Sequence, residues 1–274
     1  MDHYVYKALA SNGTQVGDVE KQASDRKPKY VFLDELTKET RDPIELRSQV
    51  LNVLLAGRDT TAGTMSWMFL NLARHPRVFT KLRDSVLRDF GTRSKPKPVT
   101  FEALKACTYL QHVINETLRL YPNVSMNSRR ATKDTTLPRG GGHDGMAPVY
   151  IRKGQEVNYY VLAMQRREDI WGEDAQEFVP ERWEGRKRGW EYLPFNGGPR
   201  ICCECSSKSM LGSNTNLTSV GQQFALTEAA FMAIRTLQNF DKLENVDPDP
   251  TIRHSYTVTT TPKQVLVRLH AASD

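Results

Sequence analysis

The sequence predicts a mainly helical chain with a small β-sheet, an α+β fold class. Three observations predict it. A helical pattern runs from Pro43 to Arg74 without an interrupting proline, and further amphipathic stretches continue to residue 120. After Pro122 the pattern gives way to short β-prone pieces separated by glycines. A last long helix and an alternating tail then close the chain.

Residues 1–30 read as a polar leader segment of low periodicity, with Gly13 and Gly17 among Lys, Asp and Gln. Helical pattern begins near Val31 and pauses at Arg41. Asp42-Pro43 is a strong helix start, an N-cap acceptor followed by proline at the first helical position. The helix it opens should be roughly 50 Å long at about 1.5 Å per residue, enough to cross a whole domain. His75-Pro76 ends it, and 76–90 is a second amphipathic helix closed by Gly91. Thr100 caps a short helix, and 109–120 is another, stopped by Tyr121-Pro122. Val149-Tyr150-Ile151 and 156–161 read as strands, 165–171 as one or two helical turns, and 178–194 as irregular. A helix runs from Gln222 to Asn239. The alternation of Tyr256, Val258 and Thr260 with Val265, Val267 and Leu269 suggests a hairpin across Pro262-Lys263.

Bulk properties narrow the class. At 274 residues, 39% hydrophobic and 26% charged, the chain is a globular type with ample material for a core. No apolar run approaches the roughly 18 residues of a membrane span; the longest, 50–57, is interrupted by Asn52. The polar start Met1-Asp2-His3-Tyr4 is no signal peptide. The net charge of +6 is spread in mixed pairs such as Arg129-Arg130 and Arg166-Arg167, without an aromatic-interleaved tract. That distribution argues against nucleic acid and equally suits an acidic protein partner. Four cysteines, three of them within 202–205, make no disulfide framework, so the chain reads as reduced and intracellular.

Four stretches carry chemistry. Residues 193–202, Leu-Pro-Phe-Asn-Gly-Gly-Pro-Arg-Ile-Cys, form a tight loop that presents Cys202 two residues after the cation of Arg200. Positive charge favours the thiolate, the metal-binding form, although an ordinary Gly-Pro turn with an incidental Cys has the same outline. Ala56-Gly57-Arg58-Asp59-Thr60-Thr61 puts a glycine and adjacent threonines inside the long helix, where each is a poor choice for stability. Such a lapse in local consistency marks function, or a helix that uses Gly57 for close packing. Glu116 and Arg119 stand three apart on one helix face, alone no more than a common surface pair. Phe178-Val-Pro-Glu-Arg182-Trp183 is alone a plausible loop.

Taken in chain order, with the 193–202 loop last, the four and their spacing together resemble the carboxy-terminal half of the cytochrome P450 monooxygenases, from about residue 31 to the end. The resemblance implies a truncated cytochrome P450 fold. Asn115-Glu-Thr-Leu-Arg-Leu-Tyr-Pro122 and Leu137-Pro-Arg-Gly-Gly-Gly142 resemble the fungal alkane and fatty-acid hydroxylase branch. By this resemblance Cys202 is the thiolate ligand of haem b iron, within a loop that also carries Phe195 and Gly198. Arg200, with Arg129 as a weaker candidate, pairs with a haem propionate. Asp59 and Thr60 deliver protons to dioxygen, and Ala56 and Gly57 lie over the haem face. Glu116, Arg119 and Arg182 form a buried ion network that holds the Cys loop. The implied reaction inserts one oxygen atom of O2 into a C–H bond of a hydrophobic small molecule. Its electrons come from NADPH through an NADPH–cytochrome P450 reductase. The family places this chemistry at the cytosolic face of the endoplasmic reticulum membrane through an amino-terminal anchor; this chain alone is expected to be soluble and cytoplasmic.

One departure stands out. The family's continuation, Gly-Gln-Gln-Phe-Ala, follows Cys202 only at 221–225, so 203–219 reads as an insertion between the ligand and its helix. This Ser/Asn/Thr-rich segment suits no packed element. Its coding sequence permits a splice donor at Cys203-Glu204-Cys205 and an acceptor at Ser219-Val220, in frame, so a retained intron is the expected origin. Two other readings compete with the monooxygenase: a non-catalytic fragment of such an enzyme, and a zinc-binding module built on Cys202, Cys203 and Cys205.

Overall fold

The computed structural model describes residues 1–11, 32–202 and 220–273. They fall into two compact units, Met1–Asp59 and Thr60–Asp274, with the division inside one long helix.

In the first unit, α1 (Asp2–Ser11) and α2 (Phe32–Glu39) precede α3 (Pro43–Arg74). Helix α1 lies where the sequence reading expected only a polar leader. Its apolar edge consists of Val5 and Ala8, both buried, which is too narrow a stripe to register among polar neighbours. The predicted start of α3 is present: the Ile44 amide donates to Asp42 Oδ1 at 2.9 Å. The helix spans 32 residues.

In the second unit, α3 continues to Arg74 and α4 (Pro76–Phe90) follows. Gly91 ends α4 at φ 75°, a conformation glycine adopts without strain. Helix α5 (Phe101–Ala106) is capped as expected, Thr100 Oγ1 accepting from the Ala103 amide at 3.2 Å. Helix α6 (Thr108–Leu120) is buried along most of its length. The core packs the apolar faces of α3, α4 and α6 with Ala230, Ala233, Ile234 and Leu237 of the final helix. Trp171 extends it, together with Phe178, Trp183 and Tyr192 from the irregular stretch 178–194.

The β structure among the described residues is four two-stranded antiparallel ladders. Strand β1 (Met126–Arg130) pairs with β4 (Glu156–Tyr160), and β2 (Thr135–Gly141) with β3 (Ala147–Ile151). Two single-turn helices, α7 (Val161–Met164) and α8 (Glu168–Trp171), lead to a 3-10 turn at Pro180–Trp183. After α9 (Val220–Asn239), β5 (Phe240–Asn245) pairs with β8 (Val267–Ala271), and β6 (His254–Tyr256) with β7 (Thr260–Pro262). The tail therefore differs from the single hairpin read across Pro262-Lys263. The chain turns at 257–259, and Pro262 lies within β7 opposite His254. The later strand returns to β5.

Candidate functional site

The centre of the second unit is a carboxylate. Glu116 is fully buried on α6, and its two oxygens accept five hydrogen bonds. Oε1 accepts from Arg119 Nη2 at 2.8 Å, Arg182 Nε at 2.9 Å and the Val179 amide at 3.0 Å. Oε2 accepts from Arg119 Nε at 2.8 Å and the Trp183 indole at 3.0 Å. The helical spacing of three makes the Glu116–Arg119 pair bidentate.

Arg119, also fully buried, uses its whole donor set. Besides both oxygens of Glu116 it donates to the carbonyls of Gln165 at 2.9 Å, Ala175 at 2.7 Å and Glu177 at 3.0 Å. Arg182 adds a second cation and Asp174 a second anion, 3.0 Å apart. Burial works against the Arg182 charge, but the carboxylates of Asp174 and Glu116 outweigh it and raise its pKa. The Arg182 hydrogen bond in turn holds the Asp174 carboxyl below its ordinary range. Two anions and two cations close the group electrically, the condition under which buried charge is tolerated.

Gln165, fully buried, ties this network to the cysteine loop. Its Nε2 donates to the carbonyls of Leu118 at 3.0 Å and Arg119 at 2.9 Å, and its Oε1 accepts from the Leu193 amide at 2.7 Å. From Leu193 the chain turns tightly, the Asn196 amide donating to the Leu193 carbonyl at 3.0 Å. Asn196 and Gly198 both have positive φ, 65° and 70°. The Cys202 amide donates to the Phe195 carbonyl at 2.9 Å, which closes the loop on itself and leaves the cysteine half-buried. A side chain at Gly197 would press within 2.8 Å of the Trp190 ring, whereas Gly198 faces open space. Beside the loop lies an open depression of about 430 Å³, bounded by Trp190, Leu193, Phe195, Gly197, Ile201 and Gln222.

The β1–β4 ladder meets this loop. The Tyr159 hydroxyl donates to Asn196 Oδ1 at 2.7 Å, and the guanidinium of Arg129 sits 5.5 Å from the centre of the Tyr159 ring. Asn196 Nδ2 also donates to the Arg200 carbonyl at 3.3 Å. The structure thus gathers Arg129, Phe195, Gly198, Arg200 and Cys202 in one neighbourhood and Glu116, Arg119 and Arg182 in another, with Gln165 between. Arg129 and Arg200 are both exposed. Ala56, Gly57 and Asp59 belong to the first unit, where Asp59 lies 3.8 Å from Arg58 on the exposed face of α3. Thr60 opens the second unit, half-buried, its carbonyl accepting from Thr64 Oγ1 at 3.0 Å. The insertion read at 203–219, with Cys203 and Cys205, lies outside the described residues.

The sequence profile of the cytochrome P450 family matches residues 14–269. The chain belongs to the cytochrome P450 family. The match begins earlier than the resemblance read from residue 31 onward. Among its relatives, cytochrome P450 monooxygenase g430 of Fusarium sp is 52% identical over 94% of this chain and 42% of its own length. Cytochrome P450 52A1 of Candida tropicalis is 48% identical over 94% of this chain and 44% of its own length. Cytochrome P450 monooxygenase alt2 of Alternaria solani is 47% identical over 95% and 46%. The chain therefore spans less than half the length of each of these relatives. No helix among the described residues is long and apolar enough to cross a membrane.

Haem is the prosthetic group this P450 family implies, and the residues present fit it. The loop offers a soft sulfur donor at Cys202, Gly198 in the same loop faces open space, and Arg129 and Arg200 are exposed guanidiniums of the kind that pair with the acidic arms of a porphyrin. Sequence reasoning missed Gln165, Tyr159 and Asn196. A lone glutamine in a polar run carries no signal. The positive φ of Asn196 was foreshadowed only by its place before two glycines.

Proposed function

We propose that this chain is the haem-thiolate half of a monooxygenase that inserts one oxygen atom of O2 into a C–H bond of a long-chain alkane or fatty acid. The observation that carries the reading is the link from the Glu116 network through Gln165 to the loop that presents Cys202. When bound, haem supplies the dioxygen activation, using electrons relayed from NADPH by a reductase. Cys202 would hold the iron, and its thiolate would donate electron density to it. Arg200 and Arg129 would pair with the propionates. The Glu116–Arg119–Arg182 network would support the loop through Gln165. Asp59 and Thr60 offer a carboxylate and a hydroxyl for proton delivery from the long helix, with Ala56 and Gly57 beside them. The aliphatic substrate class rests on the phrases at 115–122 and 137–142. The setting that goes with it is the cytosolic face of the endoplasmic reticulum membrane.

A second reading, a chain that does not catalyse, has the 203–219 segment in its favour, because that segment separates Cys202 from the start of α9 in sequence. Purified protein supplied with haem, reductase, NADPH and a long-chain fatty acid decides between them. Hydroxylated product supports the monooxygenase; haem-loaded protein without product supports the second reading. In the active protein, Thr60→Ala and Asp59→Asn should keep haem content yet lower product formed per NADPH consumed. Unchanged coupling in both would mean these side chains only shape the helix.

A further inference from the structure

We infer that Gln165 is a positioning residue for the Cys202 ligand, setting where the sulfur stands rather than merely filling the core; the inference rests on the haem-thiolate reading above. Three observations lead to it. Helix α6 ends with carbonyls that no later turn can satisfy, and those of Leu118 and Arg119 are taken by Gln165 Nε2. The carbonyl of Leu120 is taken by the neighbouring Arg166, at 2.6 Å from Nη2 and 3.1 Å from Nε. The other end of the same amide, Oε1, receives the Leu193 N–H at 2.7 Å, at the point where the cysteine loop begins its turn. Finally, the backbone carbonyl of Gln165 accepts from Arg119 Nη1 at 2.9 Å. One residue therefore receives the ion network on its main chain and passes its position to the loop through its side chain.

The geometry needs an amide. Only a group with two N–H donors on one atom and an acceptor on the other can bridge two carbonyls and one amide proton in a site without water-exposed surface. A carboxylate would keep the acceptor for Leu193 and face the two helix carbonyls with negative charge. A thioether of similar length would fill the volume and bind neither side.

The experiment compares the full chain with Gln165→Met and Gln165→Glu, with Gln49→Met, an exposed site on α3, as the control. Amide exchange is read at Leu193 and across α4, and the alkylation rate of Cys202 is read by mass spectrometry in haem-free protein. In haem-supplied protein, the reduced CO-bound absorption band is read as well. The expected result for Gln165→Met is roughly tenfold faster exchange at Leu193 with α4 unchanged, the loss of about one buried hydrogen bond. Cys202 alkylation should change with it, and the thiolate-type CO band should shrink in favour of the protonated-thiol type. Gln165→Glu should keep Leu193 protected while moving the band. Unchanged exchange and alkylation in Gln165→Met overturn the inference. So does altered exchange with an unchanged CO band, which would reduce Gln165 to a structural residue. If the parent chain takes up no haem, the monooxygenase reading fails, and the exchange and alkylation results still decide the coupling.

Discussion

Arg119 shows at the residue scale why identity outweighs charge. Its guanidinium satisfies two carboxylate oxygens and three backbone carbonyls at once, a set of directions that an ammonium group cannot reproduce. Arg119→Lys conserves the charge but offers three N–H donors to five acceptors, so at least two of those acceptors lose their donor. Each such group costs about 1–3 kcal/mol, so the substitution should lower stability by about 2 kcal/mol or more, read as the midpoint of urea unfolding. An unchanged midpoint would mean that water replaces the lost donors. The same residue explains a limit of sequence reading. Glu116 and Arg119 are legible as a pair because helical spacing fixes which face they share. Their partners Gln165, Ala175 and Glu177 contribute mostly main-chain carbonyls, which every residue has, so nothing in the sequence singles them out.

At the scale of elements, the tail hairpin is held to the core by aromatic stacking. Trp67 of α3 stacks on Tyr121 with ring centres 4.2 Å apart, and His254 of β6 sits 4.8 Å from Trp67. The indole of Trp67 donates to the Thr260 carbonyl of β7 at 3.2 Å. Burial, with the Arg166 cation nearby, depresses the pKa of His254 below its ordinary value of 6.5. Its Nδ1 is buried without a hydrogen-bond partner among the described residues. The unfolded chain therefore binds a proton first as pH falls, and folding loses stability from about pH 6.5 downward through the folded pKa. His112 is depressed in the same direction by burial and adds to the trend. Stability measured between pH 7.5 and 5.5 should fall, and His254→Gln should flatten that slope. An equal slope in the variant would place the titration elsewhere. The helices were readable because caps and apolar periodicity agree, as at Asp42, Thr100 and Gly91. Strands β1 and β2, Met-Asn-Ser-Arg-Arg and Thr-Thr-Leu-Pro-Arg-Gly-Gly, were not: they are exposed on both faces and so carry no alternation. The misplaced final turn has a similar cause. Pro262 can sit in a short ladder because proline needs no N–H partner at such an edge.

At the scale of the whole molecule, the loop that ends at Cys202 and helix α9 are separated in sequence by residues 203–219, the segment read from the sequence as an insertion. The Phe-to-Cys loop closes on itself, and α9 carries the expected Gly-Gln-Gln-Phe-Ala at its start. A helix N-terminus directly after a thiolate would stabilise it through the helix dipole. A chain in which 203–219 is removed and Val220 becomes leucine should therefore bind haem more tightly than this one in titration. Equal affinity would show that the segment is tolerated. The gene offers a separate check on its origin. A codon other than TGT at 203, or other than TCA at 219, excludes the in-frame splice junction.

Whether Cys202 is the sulfur ligand of a haem is decided by the absorption spectrum of the reduced, CO-bound protein. The thiolate-type band should be present in the parent chain, lost in Cys202→Ser, and kept in Cys203→Ser and Cys205→Ser. A thiolate-type band that survives Cys202→Ser, or that disappears with Cys203 or Cys205 instead, would contradict ligation by Cys202.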